Sequence, residues 1–229
     1  MAHAQTLEAI VLRVIDVGEA DRLVVLFTRQ RGRIAARAKG VRRLHSRMGG
    51  SLQPGAHVTA QVTEGRGGWI VAGASTLGED AGFPSAVALS RAQEGIEILL
   101  ALTEDDEPLP GVFDLLHAFL RLCRAERRML LPFTLRLLWL LGSLPSEEED
   151  PRVEALAPAD RALLRRCVEE EEPLAALASA PATTKLADFC RAVLEEHLPR
   201  PLRSPAVTGS IADPGRRFLD DGGGVGVRG

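Results

Sequence analysis

Five short apolar runs crowd into the first eighty positions, and they constrain the fold more than any other feature of the chain. "LEAIVLRVID", "DRLVVLFT", "GRIAARAKG", "AHVTAQVTE" and "GGWIVAGAS" are rich in Val and Ile and are punctuated by Gly or Pro. Val58, Ala60 and Val62 alternate with Thr59, Gln61 and Thr63, the period of two that a half-buried strand requires. "EGRGG" at 64–68 then reads as a hairpin turn. Strands this short would leave open edges in a flat sheet, so the pattern predicts closure into a small barrel of the oligonucleotide-binding (OB) type.

From Ser85 the period changes to that of a helix. "SAVALSRAQEGIEILLAL" has helical spacing at Val87, Ser90, Arg91, Glu94 and Ile98, with Ser85 placed to cap its N-terminus. "LPGVFDLLHAFLRLCRAERR" and "PFTLRLLWLLG" continue as helices, the second with Pro132 near its first turn and Gly142 at its end. After the polar "SLPSEEEDP", two more helices are expected at "APADRALLRRCVEEE" and "TTKLADFCRAVLEEHL". The expected fold class is therefore α+β, an N-terminal OB-fold barrel over 1–80 followed by an all-α helical domain over 81–212. The closing residues 213–229, with "DDGGGVGVRG", are expected to be a disordered tail.

The chain has 229 residues, 45% of them hydrophobic, which is enough to bury a substantial core. It contains no apolar run of membrane-spanning length, and "MAHAQTLEAI" lacks the basic head and apolar stretch of a signal peptide. A cytoplasmic protein without a membrane partner is expected. Cys123, Cys167 and Cys190 lie far apart and are odd in number, so they read as small buried hydrophobes rather than a disulfide framework or a zinc site.

Charge is segregated. Between Asp21 and Glu64 there is no acidic residue, while Arg22, Arg29, Arg31, Arg33, Arg37, Lys39, Arg42, Arg43 and Arg47 fall inside that window. All 31 acidic residues lie outside it, against the 19 remaining basic ones. A basic run usually marks nothing more than a solvated surface. Here the missing acids, the preference for Arg over Lys and the place in the middle of a barrel favour a nucleic-acid surface, because the guanidinium fork suits phosphate oxygens. Between Phe27 and Trp69 there is no aromatic residue, so binding should lean on the phosphate backbone and be nearly blind to sequence. Trp69 serves equally well as a core residue. Neutralising about five phosphates of a single strand would give a log–log salt slope near −3.5.

A smaller basic feature lies in the helical part, where His117, Arg121, Arg124 and Arg128 recur at three- and four-residue spacing. Such a face could extend a nucleic-acid path or receive an acidic partner peptide, and a plain solvated face opposite Phe113, Leu116 and Leu120 fits the spacing as well. "GVGVRG" matches a phosphate-binding glycine pattern but has no helix after it, and the "EEED" and "EEEE" runs read as solvated charge. The five histidines show no metal-ligand spacing, and no nucleophile is paired with a base, so no catalytic residue, metal or cofactor is expected and the chain reads as a non-enzyme.

With these residues in view, the chain resembles the RecO family of bacterial recombination mediators and DNA-repair proteins. The resemblance runs through "AIVLRVIDVGEADRLVVLFTRQRGRIAARAKGVRRLHSRMGGSLQPG", with its "GEADRL" turn, "FT", "GRI", "AKGVRR" and "SRMGGSLQP" in order. Weaker similarity follows in "FTLRLLWLLGSLP" and "LPRPLRSPAV". It implies an OB barrel, a helical domain, binding of single- and double-stranded DNA, annealing of complementary strands, and cooperation with RecR in loading a recombinase onto strands coated by single-strand DNA-binding protein. The family's basic segment corresponds to Arg33, Arg37, Lys39, Arg42, Arg43 and Arg47, the DNA-contact candidates. Family members that grip the acidic C-terminal tail of the coating protein do so in the helical domain, which makes Arg121, Arg124 and Arg128 the partner-binding candidates. Many members carry a four-cysteine zinc module where this chain has Cys167 alone, so zinc is not expected. The rival reading is an OB-fold module that binds RNA or protein without annealing.

Overall fold

The structure, a computed structural model, describes residues 4–43, 46, 48–65, 67–78, 82–146, 150–169, 172–179 and 182–198. Its first part is a closed five-stranded barrel, ordered β1-β2-β3-β5-β4, with β4 returning to β1. The strands are β1 Ala4–Val17, β2 Asp21–Thr28, β3 Gly32–Ala38, β4 His57–Gly65 and β5 Gly68–Thr76. All pairings are antiparallel except β3 with β5, which gives the OB arrangement expected from the five apolar runs. β1 is long enough to serve two neighbours: Ala4–Ile10 pairs with β4 and Ala9–Val17 with β2. An irregularity in register between Val11 and Arg13 lets it bend from one to the other.

Period-two alternation fills the barrel. Leu7, Ala9, Val11, Val24, Leu26, Ile34, Ala36, Val58, Ala60 and Val62 point inward and are almost fully buried. Trp69 belongs to this core at 9% exposure, so it is a packing residue, and the Arg31 guanidinium lies 4.8 Å from its ring centroid. Ile10, Leu12 and Phe27 point outward from β1 and β2, yet they too are buried, because the helices cover that wall.

The helices are α1 Ala86–Leu102, α2 Pro110–Arg124, α3 Leu130–Leu140, α4 Pro151–Glu154, α5 Pro158–Val168 and α6 Thr184–His197, with a 3-10 turn at Leu174–Ser179. The Ser85 hydroxyl accepts the Ala88 N–H at 3.1 Å, the cap that the sequence calls for. The buried stripe of α1 holds Ala88, Ala92, Gly95, Ile96 and Leu99, whereas Val87 stays 47% exposed. α3 is buried from Leu130 to Leu138 and packs against α1, α2, α5 and α6, so it is the centre of the helical layer. Phe27 of the barrel stacks on Phe113 of α2, with centroids 6.4 Å apart, and ties the two layers together. Gly32 sits at the closest approach: its φ is +66°, and a Cβ there would fall 1.8 Å from the Glu107 carbonyl oxygen.

All three cysteines are buried and free, and burial pushes the Cys123 and Cys167 thiols up to about 12. Among the described residues no helix is long and apolar enough to cross a membrane. The expected tail, 213–229, and the stretch 201–212 lie outside the described residues.

Candidate nucleic-acid interface

The candidate surface is built from the end of β3. Ile34, Ala36 and Ala38 face the barrel core, so the period of two turns Arg33, Ala35 and Arg37 outward. Beyond the strand, Lys39 is exposed, Gly40 turns the chain at φ +64°, and Val41 drops back into the core. Arg42 and Arg43 then stand in solvent. Buried Ala38 and Val41 thus act as pegs on either side of a cationic loop whose charges have no room inside the barrel.

The turn between β1 and β2 grips this loop. The Ala20 carbonyl accepts the Arg42 backbone N–H at 3.0 Å, and the Gly18 carbonyl accepts from Arg42 Nη1 at 3.0 Å. Asp21 bridges strand and loop, its Oδ1 accepting the Gly40 N–H at 2.8 Å and its Oδ2 accepting Arg37 Nε at 2.9 Å. The Gly40 N–H, reinforced by Arg37 against a smaller desolvation effect, holds the Asp21 carboxyl below its ordinary value. Asp16 accepts Arg22 Nε at 3.0 Å and approaches Arg42 Nε at 3.6 Å. Hairpin register explains this reach: Asp16 lies opposite Arg22, and Val17 opposite Asp21.

The window without acids in sequence is therefore answered by acids in space. Arg33 is drawn away from the loop to the seam with the helices, where Nε donates to Asp105 Oδ1 at 2.5 Å and Nη1 to the Leu100 carbonyl at 2.7 Å. Its side chain is only 18% exposed. Arg29 lies at the same seam, forking onto Asp114 at 2.6 and 3.0 Å and donating to Glu8 at 2.8 Å. Burial alone would raise the Glu8 carboxyl, but hydrogen bonds from Arg29 and His57 outweigh it and hold the group low. Of the six DNA-contact candidates, Arg37, Lys39, Arg42 and Arg43 come together on one edge, Arg33 is apart, and Arg47 falls outside the described residues. Among the described residues no carboxylate lies within ion-pair distance of Lys39 or Arg43.

The helical candidates separate as well. α2 ends at Arg124, with Ala125 capping it and Glu126 at φ +57°, so Arg128 lies beyond the helix and does not continue its face. His117 packs against His57 of the barrel at a 4.3 Å centroid distance. Arg124 turns into the seam, donating from Nη2 to the Gly55 carbonyl at 2.7 Å with its guanidinium 4.8 Å from the Phe83 centroid. Arg121 and Arg128 remain exposed. The spacing was right for 117, 121 and 124, but spacing does not show which side of a helix another layer covers.

Asp16 and Asp21 are the interface residues that reading the basic run alone misses. Their signal lies in "DVGEADRL", where the hairpin turn of "GEADRL" has Asp16 before it and Asp21 within it and returns both beside Arg22 and the strand that follows. Among the described residues no three of His, Cys, Asp and Glu gather closely enough to hold a metal.

A small OB barrel with one cationic edge, joined through its β1–β2 wall to a helical layer, defines the class of protein. Residues 1–71, which span the first four strands and the start of the fifth, match the family described as "Recombination protein O N terminal". The chain is 40% identical over 159 residues to the DNA repair protein RecO of a Nocardioides species, covering 66% of this chain and 64% of that one. It is 35% identical to the DNA repair protein RecO of Myxococcus xanthus over 148 residues, 60% of this chain and 59% of that one. The RecO of Thermobifida fusca is 47% identical over 70 residues, 31% of this chain and 29% of that one. The matches to the first two relatives span about three-fifths of their length. These matches place the N-terminal domain of the chain in the RecO family.

Proposed function

We propose that the chain is a DNA-binding recombination and repair mediator without catalytic activity of its own. Residues 1–80 serve as its OB-fold DNA-binding domain, and the helical residues, 81–212 by sequence, as its partner-binding domain. The single observation that carries this reading is the cationic edge: Arg37, Lys39, Arg42 and Arg43 converge on one rim of an OB barrel, held there by the β1–β2 turn. Arg47, eight residues beyond Lys39, belongs to the same basic segment. Relatives bearing the name DNA repair protein RecO support the choice of DNA as the ligand.

On this reading the edge contacts phosphates of both single- and double-stranded DNA. Trp69 is committed to the core, and Arg31 covers its ring, so it offers bases no stacking platform. Two complementary strands repel each other. A surface that neutralises phosphates without stacking the bases leaves base edges free to pair, which is a physical route to annealing. RecR and single-strand DNA-binding protein are the proposed partners, with the acidic tail of the latter meeting exposed Arg121 and Arg128 on the helical side. Arg124 is already engaged with the barrel and serves as a tie between layers. The proposed location is the cytoplasm, at the nucleoid.

The test is annealing of complementary oligonucleotides precoated with the cognate single-strand DNA-binding protein, compared with a coating protein lacking its acidic tail. Acceleration that depends on the tail is the expected result. A folded protein that accelerates annealing of neither coated nor bare strands at low salt, but prefers structured RNA, would make the chain an OB-fold interaction module instead.

A further inference from the structure

Three arginines on the cationic rim are held by carboxylates of one turn. Arg37 donates to Asp21 at 2.9 Å, Arg22 donates to Asp16 at 3.0 Å, and Arg42 lies 3.6 Å from the same Asp16. The Arg37 and Arg22 distances are close to those at which guanidinium groups meet phosphate oxygens, whereas Arg42 meets Asp16 as an ion pair without a hydrogen bond. Arg37 at 51%, Arg42 at 36% and Asp16 at 53% are exposed, whereas Arg22 at 24% and Asp21 at 21% are only partly so. A strand arriving at the rim therefore meets arginines already oriented and already neutralised. On the described part of the rim Lys39 and Arg43 make no ion pair with a carboxylate, although Lys39 is near enough to Asp21 to help hold that carboxyl ionised.

We propose that Asp16 and Asp21 are internal phosphate surrogates: they hold Arg22, Arg37 and Arg42 in a phosphate-ready geometry and compete with DNA for them. The proposal rests on the DNA reading above and adds a regulatory element to it. The surrogates cost affinity. Where Lys39 and Arg43 give the first, weak contact, each further arginine must exchange an intramolecular carboxylate for a phosphate before it contributes. Release of the strand is helped for the same reason, since a carboxylate waits beside each vacated arginine. A protein that must bring two strands together and then leave the duplex gains from this.

Asparagine separates competition from architecture. Asp21→Asn removes the charge but keeps a carbonyl oxygen that can accept the Gly40 N–H, so the loop anchor survives. Asp16 makes only side-chain contacts to arginines, and Asp16→Asn leaves the backbone of the turn untouched.

The experiment measures binding of a fluorescent oligo-dT to the full chain across a salt series, for wild type, D16N, D21N and D16N/D21N. Near 0.1 M salt, each extra phosphate neutralised on a single strand is worth about fivefold in affinity and steepens the log–log slope by about 0.7. The double variant should bind roughly five- to twenty-five-fold more tightly, with a slope steeper by about 0.7 to 1.4. Adding R37Q to D21N should cancel the gain of D21N, because the freed arginine is then absent. Tightening runs opposite to the loss that simple destabilisation would produce. Binding that is unchanged or weaker in D16N/D21N, while wild type binds, overturns the surrogate role and leaves the DNA reading standing. No binding by either protein overturns both.

Discussion

At the scale of single residues, two positions show how tightly local chemistry is fixed by packing. Gly95 lies inside α1, where glycine ordinarily costs about 1 kcal/mol relative to alanine. A Cβ there would sit 2.2 Å from Phe119 Cε1, and that ring cannot retreat, because it stacks on Phe133 with centroids 4.2 Å apart. Overpacking of this kind costs about 1–3 kcal/mol and outweighs the gain in helix propensity. Gly95→Ala should therefore lower Tm by a few degrees in a thermal melt, where an open helical site would show a rise. Asp21 is the second such position. Read alone, it opens a strand; in the fold it ties Arg37 to Gly40 and so sets the direction of the cationic loop. That reach of nineteen residues comes from the antiparallel pairing of β2 with β3, which sets Arg22 opposite Ala38 and so Asp21 beside the loop.

At the scale of elements, Arg136 shows a different economy. It sits on the buried helix α3 at 8% exposure and donates to four carbonyls around the end of α5: those of Cys167 at 2.7 Å, Glu172 at 2.6 Å, Glu169 at 3.0 Å and Arg166 at 3.1 Å. A helix leaves its last carbonyls unpaired and carries partial negative charge there, so one guanidinium satisfies both needs. Burial lowers the pKa of Arg136, yet an arginine so surrounded remains charged. Arg136→Met should cost about 2–5 kcal/mol by urea denaturation, and Arg136→Lys less, since one ammonium cannot fork to four acceptors. The seam between barrel and helices makes a second prediction. Glu8 is held below its ordinary 4.5 by Arg29 and His57. A carboxyl lowered by folding contributes its full stabilisation above the unfolded value and loses it as pH falls through the folded one. Stability of the wild type should thus fall as pH drops below about 4.5, and Glu8→Gln should flatten part of that fall in melts taken at neutral pH and near pH 3. The elements themselves were legible in the sequence: β2 falls at Asp21–Thr28 as read, and the Ser85 cap and the turn at 64–68 stand where their residues place them. The extension of α2 to Arg128 was not correct, because Glu126 adopts a left-handed backbone that composition does not reveal. Nor did the basic window show its carboxylate partners, since Asp105 and Asp114 arrive from elements about seventy and eighty-five residues away.

At the scale of the whole molecule, the two layers divide the charges. The outer barrel wall bearing Ile10, Leu12 and Phe27 is spent on the helices, and Arg29, Arg33 and Arg124 are spent at the seam beside it. What remains for a ligand is the rim beyond β3, set in a chain whose net charge is −3. On the DNA reading, a net negative chain gives a strand little general attraction, so a few rim cations rather than a broad field would decide its orientation. Two of those cations, Arg42 and Arg43, are exposed; Arg42 gives up one surface hydrogen bond to the Gly18 carbonyl and an ion pair with Asp16 when replaced, a modest cost to the fold. Arg42→Glu combined with Arg43→Glu reverses two of the five described rim cations, Arg22, Arg37, Lys39, Arg42 and Arg43. The double variant should keep its unfolding free energy within about 1 kcal/mol of wild type and should lose DNA binding and annealing together. The wild type should bind oligo-dT and a mixed-sequence oligonucleotide with affinities within a few-fold of each other, because its one barrel tryptophan is buried and phosphates carry no sequence. Fluorescence anisotropy on both oligonucleotides, alongside a urea melt of each protein, reads all of these at once. Full binding by a folded R42E/R43E protein would move the DNA surface away from the rim, and a strong sequence preference would require a base-reading surface that the barrel edge does not supply.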